Sequence, residues 1–186
     1  MKAAFALFLV ALAASGSIRD VDFKNFAYPF IEHKSVSVPS RLRWLPLPGA
    51  DLITPHNGEH TFPCDDPPCE LLAVDRVDFG DIKGITGTSA IVTTTFHTGG
   101  TAHWQFLYVI ALISEKPKVL AWLESGSRAD MGLRSASADR GDLVLVVNDP
   151  DKRQGDCCST GTITYRYRWA GGSFHNVGPS IRKDDP

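Results

Sequence analysis

From residue 71 to residue 175 the chain repeats one rhythm: a short run of β-branched or alternating apolar residues, then a cluster of turn residues. The runs are 71–79, 90–96, 104–113, 118–123, 143–147, 162–169 and 173–175. Between them stand Thr98-Gly99-Gly100-Thr101, Ser114-Glu115-Lys116-Pro117, Arg140-Gly141-Asp142, Asn148-Asp149-Pro150 and Gly171-Gly172. β-Branched and aromatic side chains fit a pleated, half-buried surface, and glycine, asparagine and proline supply the backbone angles that reverse it. Short strands at this spacing imply an antiparallel meander. In 162–169 the alternation puts Ile163, Tyr165, Tyr167 and Trp169 on one face and Arg166 and Arg168 on the other. Helix signals are poor. Only 125–135 has room for a turn or two, and Gly126 and Gly132 oppose it by about 1 kcal/mol each. The expected fold is mostly β: a single-domain antiparallel meander, as a twisted sheet or a sandwich, with little helix and stapled by disulfides.

The first residues read as an address. Lys2 gives a positive start, 3–14 is an apolar run, and small residues close it at Ala13, Ala14, Ser15 and Gly16. That is the build of a secretory signal peptide, and the run falls short of the about 20 apolar residues a membrane span needs. The expected organisation is a leader over 1–16, one β-rich domain over 17–180 and a flexible tail over 181–186. Within 17–35, Phe23, Phe26, Tyr28 and Phe30 are expected to plug into the core, with Pro29 ruling out a helix. Residues 36–48, with three prolines, suit an edge strand, and 49–69 reads as loop. What remains after the leader suffices for one well-cored domain. The formal charge of −2 offers no basic field for nucleic acid, and 43% hydrophobic residues with 10% aromatics argue against disorder.

Export changes what the four cysteines mean. An even count outside the cytoplasm favours two disulfides. Cys64, Cys69, Cys157 and Cys158 allow three connectivities. Adjacent Cα atoms stand about 3.8 Å apart, closer than a relaxed bridge prefers. That consideration puts a crossed arrangement, stapling the 64–69 loop to the 157–158 turn, slightly ahead of the local pairs. Neither pair has the C-x-x-C spacing of a zinc site or a redox dithiol.

Candidate functional residues are sparse. The six histidines are His33, His56, His60, His97, His103 and His175. His56 and His60 flank Asn57-Gly58, which breaks the helix that would put both on one face. His97 and His103 flank the 98–101 turn, so a hairpin would bring them together as a surface metal or pH-sensitive pair. Trp104, beside that turn, is a candidate ligand platform. Arg166 and Arg168 form a cationic strand face suited to acidic saccharide or protein groups. No Gly-x-Ser-x-Gly elbow is present, and no catalytic residue or cofactor is expected.

The stretch Phe79-Gly80-Asp81-Ile82-Lys83-Gly84-Ile85-Thr86-Gly87-Thr88-Ser89-Ala90-Ile91-Val92 resembles the strand–loop–strand element of FG-GAP and VCBS-like secreted proteins. There the loop carboxylates hold calcium. Here Asp81 takes the first acidic position, but Lys83 and Ile85 stand where the next two would be, so the resemblance implies the turn without the metal. A wider likeness runs over 75–178, through Tyr108, Asp156-Cys157-Cys158-Ser159 and Tyr165-Arg166-Tyr167-Arg168-Trp169. It is similar to small uncharacterised exported bacterial proteins, some of them lipoproteins, which bring no established activity. The function expected is an exported, soluble, non-catalytic binding or interaction module with a protein or saccharide partner, no nucleic acid and no membrane span. The alternatives are a secreted hydrolase with a dispersed active site, or a structural accessory domain. A deep pocket of convergent polar groups with perturbed ionisation would favour the hydrolase, and a flat sheet with an exposed aromatic–arginine patch would favour binding.

Overall fold

A computed structural model describes residues 16–31, 42–101, 103–155 and 157–185. Residues 1–15 of the expected leader over 1–16, His33, and 36–41 of the proline-rich segment lie outside the described residues. The strands are β1 (Tyr28–Phe30), β2 (Arg43–Leu45), β3 (Asp51–Ile53), β4 (Glu59–Thr61), β5 (Leu71–Asp81), β6 (Thr88–His97), β7 (His103–Ile113), β8 (Lys116–Glu124), β9 (Leu133–Asp139), β10 (Asp142–Asn148), β11 (Arg153–Gln154), β12 (Cys158–Ser159), β13 (Gly161–Ala170), β14 (Ser173–Asn176) and β15 (Ile181–Asp184). The only helical elements among the described residues are three single 3-10 turns.

A six-stranded sheet runs β2-β8-β7-β6-β5-β4, so β5 to β8 form the expected meander, while β3 and β4 are strands within 49–69, which reads as loop in the sequence. A second sheet runs β14-β13-β10-β9, with β15 also on β13. The turn chemistry works as read. Ser114-Glu115, Arg140-Gly141 and Gly171-Gly172 each take positive φ at both central positions, the two-residue turn whose twist matches the strands it joins.

The sheets pack face to face. Ile91, Leu107, Val109 and Leu123 of the first share one core with Leu143, Leu145, Val147 and Ile163 of the second. The other face of the six-stranded sheet carries Val92, Phe96, Phe106, Tyr108 and Trp122, and Ile18, Phe23, Tyr28 and Phe30 of the N-terminal segment lie on it. The segment does plug its aromatics into a core, as expected. Both faces are therefore covered, and β7 reads as a continuous apolar run because each successive side chain enters one core or the other.

Three expectations need correction. Residues 125–132 are not helical, and Leu133–Asp139 is a strand, which alternating small and polar residues had concealed. The tail does not fray: Ile181–Asp184 pairs with β13. The cysteines are not crossed, because Cys64 bonds Cys69 and Cys157 bonds Cys158. The two pairs serve different sheets. The 64–69 loop follows β4 and packs on the β6–β7 turn, where a Cβ on Gly99 would stand 2.3 Å from the Pro68 carbonyl. The other pair sits on the β11–β12 ribbon beside the second sheet.

The glycine-rich loop after β5 ties the sheets together. Ile82 is buried in the inter-sheet core, and the Lys83 N–H donates to the Gly141 carbonyl at 2.8 Å. Gly84 has φ +93°, and a Cβ there would lie 2.9 Å from the Trp169 carbonyl oxygen. The Asp81 carboxylate accepts a hydrogen bond from the Thr88 hydroxyl at 2.9 Å.

Candidate functional site

Down the β6–β7 hairpin, the face turned toward the second sheet changes character in steps. Ile91 stands opposite Val109, Thr93 opposite Leu107, Thr95 opposite Gln105, and His97 opposite His103. The inter-sheet core is thus aliphatic at one end and polar at the other. On β5 the row continues with Asp78 opposite Ile91 and Arg76 opposite Thr93. Between Val74↔Thr94 and Arg76↔Thr93 the register slips, leaving Asp75 as an extra residue. Such a bulge re-aims a side chain. Asp75 accordingly reaches Thr95, whose hydroxyl donates to its Oδ2 at 2.7 Å.

Over this polar end lies β9, the edge of the second sheet, and a cleft of about 410 Å³ opens between the sheets. Asp75, Arg76, Asp78, Thr93, Thr95 and Gln105 line it from below, and Leu133 to Ala136 from β9. A further opening of about 350 Å³ shares Thr95, Gln105 and Leu133 with it and adds His97, His103, Arg128 and Asn148. The two form one trough with an acidic end and a basic end. Burial pushes the Asp75 carboxyl above its ordinary range, with the Thr95 hydrogen bond and the nearness of His97 pulling the other way.

The His97 and His103 rings meet edge to face, centroids 4.4 Å apart. Burial holds the His103 imidazole below the usual histidine range, and the adjacent His97 and Arg128 push it the same way. The His103 backbone N–H donates to Ser127 Oγ at 3.1 Å. Ser127 opens the short loop that joins the sheets and carries Arg128. The Arg128 carbonyl accepts from Asn148 Nδ2 at 2.6 Å and from the Gly132 N–H at 3.0 Å. A Cβ on Gly132 would come within 2.4 Å of that carbonyl oxygen, so glycine permits the tight winding.

The sequence-expected residues divide. His97 and His103 are brought together and line the trough. Trp104, next in the chain, points to the other face of β7, half-buried against the aromatic core with its ring 6.5 Å from Phe96. Arg166 and Arg168 do face outward, but they are not a free cationic surface. Arg166 bonds Asp139 at 2.5 Å, and Arg168 bonds both oxygens of Asp142 at 2.8 and 3.1 Å. His60 packs edge-on to Phe62, away from the trough. Sequence reasoning missed Asp75, Thr95, Gln105 and Arg128. One signal was present: the apolar positions Leu72, Val74, Val77 and Phe79 break their alternation by one residue around Asp75, as a bulge requires.

Among the described residues, no group of three or more His, Cys, Asp or Glu is placed to hold a metal ion. The fold and site define a two-sheet β protein with a polar trough at one end of its inter-sheet core. In comparisons with known proteins, no family model, no curated protein and no solved structure matches this chain.

Proposed function

We propose that this is an exported binding module whose inter-sheet trough takes a hydroxyl-rich ligand, a saccharide. The observation that carries the reading is the polar end of the β6–β7 face. Hydroxyls of Thr93 and Thr95, the Gln105 amide, the Asp75 and Asp78 carboxylates and the Arg76 guanidinium converge on one cleft. That set both donates and accepts, as a sugar's hydroxyls do. Strands hold it, and strands position side chains more closely than loops. The leader-like start and two disulfides support export.

Calorimetric titration of the protein with a panel of neutral oligosaccharides tests this. Binding should weaken about tenfold or more in Gln105→Leu and Thr95→Val, the loss of roughly one buried hydrogen bond each. Absence of binding across the panel, or affinities unchanged by both substitutions, would reject the trough as the site.

A second reading is hydrolysis at the same place, favoured by Asp75. A carboxyl whose pKa burial raises is better suited than an ordinary aspartate to give a proton to a leaving oxygen. Asp75→Asn would then keep binding and lose turnover. Wild-type protein that binds without turnover leaves the non-catalytic reading.

A further inference from the structure

The basic end of the trough contains an oddity that saccharide hydroxyls alone do not account for. Arg128 has φ +48°. Most other positive-φ residues of the chain sit in two-residue turns, where such angles are required. Arg128 too opens a two-residue turn, between Ser127 and Asp130, whose N–H donates to the Ser127 carbonyl at 2.9 Å, and glycine would fit that backbone more easily than arginine. Its side chain is exposed and, among the described residues, has no carboxylate partner. Its neighbours differ. Arg76 is bound to Asp78 at 2.6 Å, Arg134 to Asp185 at 2.7 Å and Arg153 to Asp130 at 3.2 Å. An arginine is thus kept on a left-handed backbone, lining the same opening as two imidazoles that meet edge to face, with no carboxylate bound to it among the described residues.

We propose that His97, His103 and Arg128 form an anion subsite that takes the carboxylate of an acidic sugar residue and holds it more tightly as the pH falls. The proposal rests on the saccharide reading of the trough and specifies which saccharides. At neutral pH the fixed charge of the subsite is that of one guanidinium, which balances one monoanion. The planar fork of arginine matches a carboxylate in two parallel hydrogen bonds. Gln105 and Asn148 line the same opening, where their amides stand beside the neutral part of the sugar.

Acidification adds positive charge here and removes negative charge at Asp75. The groups facing the histidine pair are Asp75 from β5, Arg128 from the connecting loop and Arg134 from β9. Arg134 is occupied by Asp185 and by the Asn148 side-chain oxygen, at 2.6 Å from its Nε. Two imidazolium rings at 4.4 Å repel each other and Arg128, so the second proton enters readily only with an anion between them. A sugar carboxylate stays ionised down to about pH 4, below the range in which an imidazole ordinarily gains its proton. Asp75, which faces the pair from β5, is the charge that would oppose an anion, and protonation there removes the opposition.

The test is calorimetry on the full exported protein with three probes: a digalacturonate, its methyl ester and a sulfated neutral disaccharide, each at about pH 5 and about pH 7.5. The digalacturonate should bind about tenfold or more tightly at the lower pH, and the ester should show no such change. His97→Asn and His103→Asn together should remove most of the pH dependence. Arg128→Gly, which suits the backbone and should fold without difficulty, should erase the preference for acid over ester at both pH values. If the ester binds as tightly as the acid at low pH, the anion subsite is wrong and the saccharide trough survives. If none of the probes binds, both fail. If the sulfated disaccharide binds about tenfold more tightly than the digalacturonate, the assignment to carboxylate is overturned.

Discussion

The two faces of the six-stranded sheet solve the same burial problem with different side chains. Toward the second sheet the core is aliphatic, with Ile91, Leu107, Val109 and Leu123 against Leu143, Leu145 and Val147. Toward the N-terminal segment it is aromatic, with Phe96, Phe106, Tyr108 and Trp122 under Phe23, Tyr28 and Phe30. Two pleated sheets present matching surfaces, and branched aliphatics interdigitate between them. An irregular strap offers no matching surface and leaves backbone carbonyls without ladder partners. Large rings fill the uneven space, and their polar tips meet the carbonyls. The Tyr28 hydroxyl donates to the Phe23 carbonyl at 2.7 Å, Tyr108 to Pro29 at 3.0 Å, and Trp122 Nε1 to Pro46 at 3.2 Å. Burial correspondingly drives both tyrosine hydroxyls well above their ordinary pKa. The aromatic face is sealed, whereas the aliphatic face runs out at Thr95 and Gln105, and there the trough opens.

Neighbouring residues on β7 separate the two faces most sharply. Phe106→Ala and Leu107→Ala should each destabilise the protein, by about 3–5 and about 2–5 kcal/mol, in urea unfolding. A negligible loss for Phe106→Ala would make the N-terminal segment a loose strap rather than half of the core. Next comes the loop that joins the sheets. Gly84→Val combines a left-handed backbone with a near clash against Trp169, and should cost about 2 kcal/mol or more, with or without millimolar calcium. A calcium-dependent rise in melting temperature, abolished by Asp81→Asn, would make that loop a metal site after all. Tyr108→Phe should cost about 1 kcal/mol by stranding the Pro29 carbonyl, the test of whether polar tips matter on the aromatic face.

At the polar end the expected signs reverse. Arg128→Gly should stabilise by about 1 kcal/mol through relief of backbone strain. Asp75→Asn should also stabilise at neutral pH. A carboxyl whose pKa is raised by folding holds its proton more firmly in the native state than in the unfolded chain. The Asp75 contribution to stability therefore falls as pH rises from about 4, through the raised pKa, and levels off above it, and the Asn variant lacks this component. Asp142 provides the contrast. Its Arg168 hydrogen bonds lower its pKa, so its contribution is present above about pH 4 and lost on further acidification.

Much of this fold is legible in the sequence. Seven strands of the two sheets follow from alternation and turn residues, because glycine pairs and β-branched runs act locally. β9 does not, because Leu133-Arg134-Ser135-Ala136-Ser137 is too weakly apolar to announce a strand, and its partner β10 decides the matter. The cysteine pairing was misjudged because loop geometry on two separate sheets, not sequence spacing, settles which sulfurs meet. His97 and His103 were visible because a hairpin pairs flanking residues by symmetry. Asp75 and Arg128 were not, because a one-residue slip and a left-handed backbone arise from tertiary packing. Arg166 and Arg168 were placed on the correct face, but their aspartates come from the β9–β10 turn, which no local pattern connects to β13.

The most direct test of the account is a backbone-amide and histidine NMR titration of the protein with an acidic oligosaccharide. The trough predicts shifts confined to Asp75, Thr95, His97, His103, Gln105 and Arg128, with both imidazole pKa values rising as the ligand saturates. Shifts centred on Arg166 and Arg168, or histidine pKa values indifferent to ligand, would contradict it.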